Sequence, residues 1–160
     1  MKKTTMTRLL HAVLIVAAVL AGLFFFWALP TIGREMAMAD PEFAWAYWPC
    51  LIWAWAFALP IFSAIYPAWL VCSSISRSEG AFTRLNARCL RTIAILAFAD
   101  AVIFPAGMVI LGFLGAGSGP LTFWTPAVIF VCAAVGIAAL VLSHLVDDAA
   151  EMKEDSDLTI

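Results

Sequence analysis

Long stretches without charge limit the fold of this chain more than any motif does. No Lys, Arg, Asp or Glu occurs between Arg8 and Arg34, or between Glu42 and Arg77. A further run starts after Arg91 and meets only Asp100 before Asp147. An α-helix rises about 1.5 Å per residue, so about 20 apolar residues cross about 30 Å of hydrocarbon. The runs predict membrane-spanning helices over about residues 9–29, 49–72, 93–114 and 123–144. The first span is expected to stop at Pro30, because proline lacks the N–H a helix needs. The stretch from Ala101 to Val146 is too long for one crossing. Gly112, Gly115, Gly117, Gly119 and Pro120 divide it with a tight turn.

Composition excludes a soluble alternative. The chain has 160 residues, 64% hydrophobic and 12% charged, against about 45–50% and about 25% in soluble domains. One soluble core of this size does not hide that much apolar surface. The basic start and Ala37-Met38-Ala39 suggest a cleavable leader. The apolar stretch is too long for one, however, and Arg34 and Glu35 intervene, so it reads as a span.

Charge placement predicts orientation. Lys2, Lys3 and Arg8 precede the first span, Arg77, Arg84, Arg88 and Arg91 lie between the second and third, and Lys153 follows the fourth. Only Arg34 falls on the other side, so the positive-inside rule places both termini in the cytoplasm. Trp27, Trp45, Tyr47, Trp48 and Trp124 then gather near the outer interface. The expected fold is all-α: a single domain, residues 1–160, forming a bundle of four transmembrane helices. A short cytoplasmic helix is expected between the second and third spans, and a helical extension after the fourth. Spacing-four pairs, Ala18/Gly22, Ala97/Ala101 and Ala134/Ala138, are the candidate contact seams. Pro60, Pro67 and Pro105 should kink their helices.

Few residues suggest chemistry. Asp100 is the one acid within a span, about 10 Å below the interface. It is either a proton or ligand site or a structural polar contact, with Ser63 and Tyr66 as possible partners. His11 and His144 stand alone near span ends. The cysteines Cys50, Cys72, Cys89 and Cys132 are widely spaced, and neither a disulfide nor a metal site is expected. No nucleophile–base pair, phosphate loop or zinc motif occurs, so neither an enzyme nor a cofactor is expected.

The charged segments say more. Thr83 can cap a helix on which Arg84, Arg88 and Arg91 share a face, either as a lipid-phosphate anchor or as a docking surface. After Leu145 the tail carries six acids and one lysine, and Leu145, Ala149 and Met152 keep helical spacing. The tail is either solvated or meets the arginine face.

Three segments resemble a known family. Asp40-Pro41-Glu42-Phe43-Ala44, the stretch Gly80-Ala81-Phe82-Thr83-Arg84-Leu85-Asn86-Ala87-Arg88-Cys89-Leu90-Arg91, and Glu154-Asp155-Ser156-Asp157-Leu158-Thr159-Ile160 are similar to signatures of the bacterial membrane proteins called domain of unknown function 2975. Ala81, Leu85, Asp155 and Ser156 depart from the family pattern. The resemblance implies a small membrane protein paired with a cytoplasmic helix-turn-helix regulator of Xre/Cro type. The partner would meet Phe82, Arg84, Arg88, Arg91, Asp157 and Leu158. No nucleic acid is bound directly, since the chain has no DNA-binding element. The competing expectation is a small transporter or channel, oligomeric because four helices are few, with Asp100 and the Pro60/Pro67 kink lining its path.

Overall fold

A computed structural model describes residues 3–74, 83–117 and 119–158. Helix α1 (Lys3–Leu23) passes through a π turn (Phe24–Ala28) into α2 (Leu29–Ala39). A 3₁₀ segment (Pro41–Ala46) leads to α3 (Tyr47–Ser74), followed by α4 (Arg84–Phe113) and α5 (Gly119–Leu158). Four helical stretches are long and apolar enough to cross a membrane: Thr7–Ala39, Pro41–Ser74, Arg84–Phe113 and Leu121–Lys153.

The first of these corrects the expected stop at Pro30. The helix continues to Ala39 because the backbone around the proline is re-satisfied. In the π turn, Leu29 N–H bonds Phe24 O, one residue further back than in an α-helix. In that register the carbonyl left without a donor by Pro30 is Phe25 O. Trp55 of α3 reaches it, its indole N–H donating at 3.3 Å. The Thr31 hydroxyl donates to Trp27 O at 2.7 Å. The helix therefore runs past its proline, held there by a neighbour's indole.

The helices do not close into the expected bundle. α1 packs on α3, α3 on α4 and α4 on α5, while no contact joins α1 to α4 or α5, or α3 to α5, among the described residues. The four crossings form an open row with α1 and α5 at its edges. Neighbours are antiparallel. Along α4, Asn86, Phe104 and Gly107 meet Ser74, Phe57 and Trp53 of α3 in reverse order. Ala87 and Phe98 likewise meet Ser143 and Gly136 of α5. The start of α1, the end of α3, the start of α4 and the end of α5 therefore share one end of the molecule, called here the terminal face.

α4 is the middle of the row because it carries two inward stripes. Ala87, Leu90, Ala94, Phe104, Met108 and Leu111 are buried at spacings drawn from one alternation of three and four. Asn86, Cys89, Asp100 and Gly107 form a second such stripe beside it. Two glycines let aromatic rings sit against backbone. Trp53 lies where a Cβ on Gly107 would be, packs on Phe104 at 5.2 Å and donates to Ile103 O at 3.3 Å. The Phe98 ring comes within 3.0 Å of the Cβ position of Gly136.

The spacing-four alanines are not the α5 seam. Ala134 and Ala138 are exposed, while Gly136, Ala139, Ser143, Val146 and Ala150 are buried at spacings of three and four. Gly22 also has open space around its Cβ position. Ala97 and Ala101, by contrast, are half-buried and fall on the first α4 stripe, between Ala94 and Phe104, whereas α5 meets α4 on the stripe that a neighbour's ring or hydroxyl can enter. The helix expected after Thr83 begins there and, among the described residues, is continuous with the third span, since no proline or glycine occurs before Pro105.

Gly107→Ala should lower stability by about 1–3 kcal/mol, because the rigid Trp53 indole must leave its place. Gly22→Ala should change little, Cβ there meeting nothing. Thermal denaturation of both variants in mild detergent checks the contrast.

Candidate functional site

The terminal face is built by polar groups that finish helices and then hold them together. Thr83, extended at φ −133° and ψ 148°, caps α4, its hydroxyl accepting from Asn86 N–H at 3.3 Å. The Asn86 side chain is 1% exposed and donates to the Ser74 hydroxyl at 2.6 Å. Ser74 donates in turn to Val71 O at 2.8 Å. On the other side of α4, the buried Ser143 hydroxyl of α5 donates to Ala87 O at 2.8 Å. Ala87, Leu90 and Val146 pack around these bonds with Val71 against them. Three helix ends are thus fixed at one junction.

The α1 edge is tied in separately. His11 Nδ1 donates to Thr7 O at 2.8 Å, and Nε2 lies 3.2 Å from the Ser73 hydroxyl of α3. Its ring stands edge-on to Trp69, centroids 4.2 Å apart and planes at 76°. His144 is exposed on α5, which does not touch α1. Cys50, Cys72, Cys89 and Cys132 are free thiols.

The predicted docking residues are placed unevenly. Arg84, Arg88 and Arg91 are exposed on the first turns of α4, with Leu85 exposed beside them. Asp147, Asp148 and Glu151 are exposed on α5. Among the described residues no ion pair joins Arg88 or Arg91 to these acids, although both groups flank the same junction. Phe82 lies outside the described residues. Asp157 and Leu158 fall in the last turn of α5, and their side chains lie outside the described residues. From Val146, which packs on Ala87 and Leu90, twelve residues of helix carry Leu158 about 18 Å onward. Arg84, three residues before Ala87, stands about 4–5 Å beyond the same level. The tail's end therefore overshoots the arginine face rather than lying on it.

Asp100 sits away from this face. It is 5% exposed, and its Oδ1 is buried with no hydrogen-bond partner among the described residues. Ser63 and Tyr66 do not meet it: both are exposed on α3, Ser63 donating to Leu59 O at 2.8 Å. Among the described residues no three His, Cys, Asp or Glu side chains gather at a metal-binding distance.

A family model described as "Protein of unknown function (DUF2975)" matches residues 31–160, which include the junction, the arginine face and Asp100. The chain belongs to the DUF2975 family. It is similar to the "Uncharacterized membrane protein YoaS" of Bacillus subtilis (strain 168), 25% identical over 162 residues, covering 97% of this chain and all of the relative. No solved structure matches. This DUF2975 protein is a multi-pass membrane protein, as its four apolar helices and this relative agree.

The residues that sequence reasoning passed over here are Asn86, Ser74 and Ser143. Asn86 left a signal, as a polar residue three places after a capping threonine on a stripe otherwise apolar. The two serines left none, since serine satisfies itself on its own helix as readily as across a seam.

Asn86→Ala removes the link to Ser74 and should destabilise the junction by about 1–3 kcal/mol. Hydrogen exchange should quicken in the first turns of α4 and the last turn of α3, with the Trp53–Gly107 level unchanged.

Proposed function

We propose that this protein is a non-enzymatic interaction or signalling partner, anchored in the bacterial cytoplasmic membrane, that docks a cytoplasmic regulator of helix-turn-helix (Xre/Cro) type on its terminal face. Both termini then lie in the cytoplasm, as eight of the nine Lys and Arg residues on that side require. The observation that carries the reading is the packed junction of α4 and α5. At the terminal ends of the stretches Arg84–Phe113 and Leu121–Lys153 it presents Arg88 and Arg91 on one helix and Asp147, Asp148 and Glu151 on the other, exposed and, among the described residues, not paired with each other. Charges held on rigid helices and left unneutralised suit a partner of complementary pattern. The partner's contacts would be Phe82, Arg84, Arg88 and Arg91 on one side and Asp157 and Leu158 on the other. Such a protein reports on the membrane by holding or releasing a regulator, and DNA contact belongs to the regulator.

The regulator should co-purify with the intact chain from native membranes in mild detergent. Arg88→Glu combined with Arg91→Glu should reduce it about tenfold or more. Removal of residues 155–160 should do the same if the tail takes part. Equal recovery of the partner with all three chains would overturn the reading.

A second reading, a small oligomeric transporter or channel, is favoured by one observation, the unpartnered Oδ1 of Asp100 in the row's interior. A carboxylate at such depth costs a few kcal/mol to keep charged, which is a reason to hold a proton or cation there. Asp100→Asn should abolish flux into proteoliposomes under this reading. Under the docking reading it should leave the co-purified regulator unchanged.

A further inference from the structure

Between α1 and α3 runs an apolar groove of about 250 Å³ lined by Leu14, Ile15, Ala18 and Val19 on one side and Ile65 and Trp69 on the other. It exists because α1 touches α3 through bulky groups at two levels, with a small residue between them. At the terminal end His11 stands on Trp69, ring centroids 4.2 Å apart. At the deep end Phe25 meets Phe62, centroids 6.3 Å apart. Ala18 lies between these props and is too short to fill the space they hold open.

The mouth of the groove is cationic. With helical periodicity of 3.6 residues, Arg8 lies on the same face of α1 as His11, Ile15 and Val19. Arg8 is exposed and makes no ion pair among the described residues, and α3 contains no Asp, Glu, Lys or Arg. His11 is engaged through both ring nitrogens, so among the described residues of this end of α1 Arg8 is the group left to hold an anion. The distance also fits. From Arg8 to Val19 is eleven residues, about 16 Å of helix, close to the depth of one leaflet in a hydrocarbon core of about 30 Å.

We propose that this groove is a lipid site that takes one acyl chain of an anionic phospholipid, with the phosphate held by the Arg8 guanidinium. A planar guanidinium presents parallel donors to two phosphate oxygens. The chain lies along Ala18 against the Trp69 indole. The site is separate from Arg84, Arg88 and Arg91, because among the described residues the backbones of α1 and α4 do not come together.

The test is native mass spectrometry of the full chain released from micelles containing phosphatidylglycerol and phosphatidylcholine with the same acyl chains. The wild-type chain should retain one phosphatidylglycerol with a preference of about fivefold, the size of one arginine's attraction near a surface. Arg8→Gln should remove the preference, and Arg8→Lys should keep most of it. Arg91→Gln, on the arginine face of α4, should leave it intact. Ala18→Phe should reduce retention of both lipids by filling the groove. An undiminished preference in Arg8→Gln, or an equal loss in Arg91→Gln, would overturn the proposal. So would wild-type retention by Ala18→Phe with its melting temperature unchanged.

Discussion

The seat of the Trp53 indole over Gly107 is the contact from which the arrangement of the row follows. Lipid gives helices no hydrophobic reason to associate, so they meet where backbone can be approached closely and a polar group can be satisfied. Trp53 does both, filling the place of a missing Cβ and donating to Ile103 O. Phe98 over Gly136 repeats the first half of that device on the α5 side. Because one ring comes from α3 into α4 and the other from α4 into α5, α4 has a partner on each side. It becomes the middle of a row rather than one corner of a closed bundle.

The same logic grades the row from its centre to its edges. The junction of α3, α4 and α5 has two hydrogen bonds across helices and a small apolar cluster. The α1 edge is held instead by ring contacts of His11, Phe25 and Phe26 with α3, the His11 link and the indole bond to Phe25 O. A well-fixed face for charged groups and a loosely filled lipid-facing edge thus coexist in one chain, with α3 bordering both.

The spans were readable because they rest on bulk physics: length, apolarity and the lack of charge. The turn between α4 and α5 was readable too. Gly115 adopts φ +79°, a conformation that glycine takes without penalty, and Pro120 enters in the first turn of α5. The stop at Pro30 was misread because its remedy, the Trp55 indole, lies twenty-five residues away in sequence. The open row was illegible for a similar reason, since spacing shows which face of a helix is small but not which ring enters it. At the terminal face the Thr83 cap and the arginine face were evident from local pattern. The overshoot of the tail depends on the register between α4 and α5, set by Ser143 and Gly136, which no local pattern reports.

The π turn has a consequence for how the chain tolerates change in length. Such a turn is an α-helix that has absorbed one additional residue. Losing a residue between Phe24 and Ala28 would return the segment to ordinary winding and leave everything beyond it in its present phase, because Leu29 already takes the place of the fourth residue after Phe24. Gly33 lies within 3.1 Å of the Tyr47 ring at its Cβ position, and that face would stay on Tyr47. The terminal half of α1 would keep its place on Trp69. A single deletion at this point is therefore absorbed without moving either membrane surface, whereas one in the ordinary winding of α1 would turn everything beyond it by about 100°.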